Sequence, residues 1–131
     1  VDHLVLLLGA GLYAARWPQK RTRAVAATVL IGFSVGLWLA SAVGGVELAL
    51  IEWLATVGAA VMLGLALGGE RVAPSVAAVV TGLFALAHGW AHGAEFAGAG
   101  MGTSVAAIAG AASIVILGAT AGLAIRSRRT A

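Results

Sequence analysis

The segment His88-Gly89-Trp90-Ala91-His92-Gly93-Ala94-Glu95 concentrates more potential chemistry than any other stretch of the chain. At 100° per residue, His88, His92 and Glu95 fall within about 60° of one another on a helix. Two imidazoles and a carboxylate on one stripe offer nitrogen and oxygen ligands that suit a divalent transition metal. The competing reading is a hydrogen-bonded polar seam between two helices. Ionisable groups inside an apolar span are costly and usually face a cavity, a pathway or each other, which favours ligation or passage over the seam. The chain has no cysteine, so disulfides, thiolate metal sites and cysteine nucleophiles are excluded.

The elements that must hold this segment are written in the composition. Of 131 residues, 61% are hydrophobic and only 10% charged, where a soluble domain carries about a quarter charged residues. That is too little polar surface for a water-soluble globule, and it fits a chain whose outer solvent is lipid. Five apolar runs follow: Asp2 to Ala15, Ala24 to Val43, Val46 to Leu67, Ala73 to Phe96 and Thr103 to Ile125. Four of them approach the ~20 residues that cross a hydrocarbon core. The first is shorter. The chain opens on Val1 with no initiator Met and no signal-peptide pattern, so an upstream segment not represented here is expected. The runs lack the alternation of a membrane barrel. The expected architecture is a single all-α, polytopic transmembrane bundle over residues 1–131, with about five spans.

Charge sets the orientation. All eight Lys and Arg residues lie after the first run (Arg16, Lys20, Arg21, Arg23), after the third (Arg71) and after the fifth (Arg126, Arg128, Arg129). Alternating spans put these three regions on one side, which the positive-inside rule makes cytoplasmic, with the C-terminus there too. A multi-pass membrane location with this orientation follows. The basic residues thus serve orientation, and nucleic acid is not an expected partner. The expected partners are a metal ion, the lipid bilayer and, in an oligomer, further copies of the chain.

The same topology brings Asp2, His3 and Glu47 to the outer depth of His88, His92 and Glu95, although orientation was fixed without reference to any of them. Glu52 lies about 140° round the helix from Glu47, a secondary candidate for relaying a proton or cation. Gly32/Gly36, Gly64/Gly68, Gly89/Gly93 and Gly118/Gly122 are each four apart and would let helices pack closely. Gly32-Phe33-Ser34-Val35-Gly36 matches the G-x-S-x-G pattern of hydrolases. That motif needs a strand-to-helix turn to present its serine, whereas this copy sits inside a continuous apolar run. It reads as packing, and no enzyme activity is expected. Trp17, Trp38, Trp53 and Trp90 read as interfacial or packing residues.

These residues resemble the HupE/UreJ family, small bacterial membrane proteins associated with nickel, and sometimes cobalt, uptake for hydrogenase or urease. Asp2-His3-Leu4 followed by Gly9-Ala10-Gly11-Leu12-Tyr13-Ala14-Ala15 is similar to the end of the family's His-Pro…Gly-x-Asp-His signature and its following helix. Val46-Glu47 is similar to its Val-Glu segment, and residues 88–95 resemble its His-Gly-x-Ala-His-Gly-x-Glu motif. The likeness runs along the whole chain, except that the upstream His-Pro part is absent; the resemblance implies a further N-terminal helix from that part and a bacterial inner-membrane location. It implies a permease for Ni2+ (or Co2+), with His3, His88 and His92 as ligands. Asp2, Glu47 and Glu95 would supply charge and ligation or orient the histidines. The ion is cargo, and no prosthetic group is implied. A haem-binding electron carrier and a structural or assembly subunit are the alternatives.

Overall fold

The computed structural model describes the backbone of residues 2–43, 48–68 and 72–129, and side chains within these except at 2, 3, 19–21, 48, 74 and 129. Five helices follow in order: α1 Asp2–Ala14, α2 Gln19–Val43, α3 Leu48–Gly68, α4 Pro74–Glu95 and α5 Met101–Arg129. No strand occurs among the described residues. Helices α2 to α5 are long and apolar enough to cross a membrane. The 13 residues of α1 span only about 20 Å at 1.5 Å per residue, short of a hydrocarbon core about 30 Å thick.

Two helices outrun the apolar stretches that announce them. Hydropathy places the second run from Ala24, yet α2 begins at Gln19, and α5 continues through Arg126 to Arg129. Backbone hydrogen bonding carries a helix into the interface wherever no breaker intervenes, whereas hydropathy marks only the lipid-embedded length. Proline supplies such a boundary at Pro18, just before α2, and at Pro74, the first residue of α4, where the missing N–H costs nothing. The α4–α5 turn uses Gly98 and Gly100 at φ +89° and +79°, a conformation that disfavours side chains with a Cβ.

The shortest helix is the central post. α1 packs against all four others, most extensively α5 and α3. Its Leu6, Leu7, Ala10, Tyr13 and Ala14 are fully buried, together with Val29 and Phe33 of α2 and Met62 of α3. Large apolar residues elsewhere point outward, among them Ile31, Leu83, Val105, Ile116 and Leu117. That inversion suits a bundle bathed in lipid.

Small residues set the closest approaches, because helices in lipid gain little from burial and rely on tight van der Waals packing. The largest interface is α2 on α4. A Cβ added at Gly32 would lie 2.5 Å from the Gly82 carbonyl oxygen, and one at Gly93 2.5 Å from that of Leu37. Gly36 and Gly89 meet backbone of Leu86 and Phe33 more tightly still, and Gly11 of α1 interlocks with Gly118 of α5. Gly64 and Gly68 differ: among the described residues nothing lies within 4 Å of an added Cβ at either. The α3 pair expected to pack therefore meets no described neighbour.

The basic residues gather at one end. Arg16 Nη2 donates to the carbonyls of Ala66 and Leu67 (3.1 Å for the second), which joins the end of α1 to that of α3. Arg126 Nη1 reaches the Trp17 carbonyl at 3.5 Å and adds the end of α5. Thr22 Oγ1 ties α2 to the same corner through the Ala14 carbonyl at 2.8 Å. The grouping of cationic segments read from the sequence thus has direct contacts behind it. Arg71 lies outside the described residues.

Candidate functional site

At the other end of the bundle, the last three turns of α4 carry the histidine segment. Gly89 and Gly93 lie against α2, so the imidazoles one residue before them are drawn into the same interface. His88 is fully buried. The side chain of His92 is 20% exposed and that of Glu95 53%. The three residues therefore form a graded series from the surface into the protein, each step one helical turn deeper.

Neighbouring members are in contact. His92 Nδ1 lies 3.2 Å from Glu95 Oε2, and the rings of His88 and His92 meet edge to face with centroids 5.2 Å apart. The donor in the first contact depends on the tautomer of His92. A carboxylate on one ring nitrogen fixes the orientation of an imidazole and raises its basicity as a ligand.

Aromatic walls complete the site. Phe33 of α2 stands 6.1 Å from the His88 ring and 5.7 Å from the His92 ring, and Phe96 stacks on His92 at 5.5 Å and 18°. Neither phenylalanine was singled out from the sequence. Phe96 was detectable as the residue four after His92. Phe33 was not, because it comes from another helix, although its place between Gly32 and Gly36 marks the face that meets α4.

The predicted site residues divide as follows. His88, His92 and Glu95 share one stripe, as their spacing predicts. They form a line of pairwise contacts, and among the described residues no three His, Asp or Glu side chains come together as a metal-holding group. Asp2 and His3 open α1 at the end opposite Arg16, the end at which α4 finishes, but their side chains lie outside those described. Glu47 falls wholly outside the described residues. Glu52 is exposed while Ile51 and Ala55 are buried, so its side chain is turned out of the bundle. Ser34 lies within α2, its hydroxyl bonded to the Leu30 carbonyl at 2.8 Å, and has no strand-to-helix turn to present it as a nucleophile.

Two imidazoles and a carboxylate in a line of this kind are nitrogen and oxygen donors of the type that suits a first-row transition cation. The family model described as HupE / UreJ protein matches residues 1–131, the whole chain. No curated protein and no solved structure matches it.

Proposed function

The chain belongs to the HupE / UreJ family, a membrane transporter family associated with nickel and cobalt, and from that premise we propose that it is a permease for Ni2+, with Co2+ as the related cargo. The observation that carries the reading is the graded exposure of Glu95, His92 and His88. A hydrated cation meets a carboxylate first, then a half-buried imidazole, then one sealed inside the bundle. Charge attraction at the exposed carboxylate and progressive replacement of water by nitrogen ligands offset the cost of leaving solvent. Ligands that arrive one at a time also let the ion go, unlike a closed four-ligand structural site.

Asp2, His3 and Glu47 belong to this proposal as further ligands or counter-charges at the same end. By the positive-inside rule that end faces outward in the bacterial inner membrane, so capture is from outside and delivery is to the cytoplasm. A hydrogenase or urease is the expected consumer of the nickel.

The second reading is a structural seam, and the complete burial of His88 against Phe33 is what favours it. Uptake of 63Ni2+ into cells making the protein separates the two. At matched membrane abundance, His92→Ala should abolish uptake. Unchanged uptake in His92→Ala together with His88→Gln would leave the seam as the better account.

A further inference from the structure

The opposite end of the bundle holds a cavity that the histidine site does not use. α3 and α5 both pack on α1 while scarcely touching each other. Between them lies a cleft of about 360 Å³, floored by Leu12 and Ala15, walled by Leu63 and Ile125, and headed by Arg16 and Arg126. Its size falls in the range of about 300–1,000 Å³ typical of small-molecule sites. Leu63 and Ile125 are each about half exposed, so the cleft opens sideways, toward the bilayer, along the flanks of two spanning helices.

Apolar walls beneath cationic groups describe an amphiphile with a negative head. Arg16 is anchored by the last carbonyls of α3 and Arg126 by the carbonyl of Trp17, neutral acceptors that fix each guanidinium at the cleft head. The described segments that meet at this end, residues 14–23, 66–68 and 126–129, carry seven of the chain's eight Lys and Arg residues and no Asp or Glu. Basic pockets between spanning helices are suited to the phosphates of anionic lipids. We propose that the cleft binds an anionic phospholipid, its phosphate at Arg126 and Arg16 and an acyl chain along Leu12, Leu63 and Ile125. A second copy of the chain fits less well, because two copies related by an axis along the membrane normal would bring like-charged basic ends together. Inorganic phosphate would leave the apolar walls uncovered.

Native mass spectrometry of the detergent-purified, delipidated protein, titrated with phosphatidylglycerol or phosphatidylcholine, tests the proposal. One phosphatidylglycerol should be retained in preference to phosphatidylcholine. Arg126→Gln should weaken it about five-fold, the effect of about 1 kcal/mol per cation at an anionic surface, and Arg126→Lys should restore most of it. Leu63→Trp, which fills the cleft from an exposed position and leaves its charge intact, should also displace the lipid. Equal retention of the two lipids overturns the proposal. So does wild-type retention in both Arg126→Gln and Leu63→Trp, or displacement of the lipid by millimolar inorganic phosphate alone. A Leu63→Cys protein that cross-links quantitatively to a second copy in the membrane would assign the cleft to an interface instead.

Discussion

An imidazole ligates through the nitrogen that does not carry its proton, so the partner of one ring nitrogen decides the role of the other. In His92, Glu95 Oε2 lies 3.2 Å from Nδ1, which favours the tautomer with the proton on Nδ1 and makes Nε2 the lone-pair nitrogen. Phe33 and Phe96 hold the ring from two sides. Loss of such an orienting carboxylate costs about 10–100-fold in metal affinity where it has been measured for histidine ligands. Glu95→Ala should therefore lower Ni2+ affinity about 10-fold, and Glu95→Gln, whose amide oxygen still accepts the Nδ1 proton, should fall between. Isothermal titration of the protein in nanodiscs reads both. Wild-type affinity in Glu95→Ala would reduce Glu95 to a surface acid. His88, His92 and Glu95 were legible in the sequence because a helix repeats its faces every three to four residues. What periodicity cannot convey is the partner across the interface. The spacing foretold the stripe, but neither the Phe33 wall nor the graded burial of the three residues, which depends on how deeply α4 is set against α2.

At the scale of the elements, the same glycine spacing has opposite consequences on different helices. Gly89 abuts the backbone of Phe33, whereas Gly64 meets none of the described residues. Gly89→Ala would push α4 away from α2 and tilt both histidines, an overpacking cost of about 1–3 kcal/mol. Gly64→Ala adds no clash and gains helix propensity and unfolded-state restriction, about 0.4–1 kcal/mol of stabilisation. Thermal unfolding in detergent should thus show Gly89→Ala melting below the parent and Gly64→Ala at or above it. Equal melting temperatures would mean that the tight approach of α2 and α4 contributes nothing measurable. The four small-residue pairs look alike in the sequence, since only the third dimension says which of them has a neighbour. Helix number and order were legible because each span must be apolar along its length. The starts and ends were less so at α2 and α5, where Lys20, Arg21 and Arg23, or Arg126 and Arg128, remain helical while leaving the apolar layer.

At the scale of the whole molecule, two ends of opposite chemistry sit on one bundle. Arg16 and Arg126 meet the termini of α1 and α3 at one, and His92 and Glu95 finish α4 at the other. Which end faces the cytoplasm decides the direction of any transport, and the excess of Lys and Arg predicts the basic end. The absence of cysteine makes this directly measurable with single introduced thiols. Ala99 follows α4 in the exposed turn beside the histidine end, and Ser127 is exposed near the end of α5. Ala99→Cys should react with a membrane-impermeant maleimide in spheroplasts with an intact inner membrane, and Ser127→Cys only after permeabilisation. The outer polar end would then be the capturing side, and the direction inward. The reverse labelling pattern would put Glu95 and the histidines in the cytoplasm, where the same graded ligands would load an ion for export. Because the bundle and its site would be unchanged in that case, the labelling tests orientation alone and leaves the metal chemistry to be judged on His92 and Glu95.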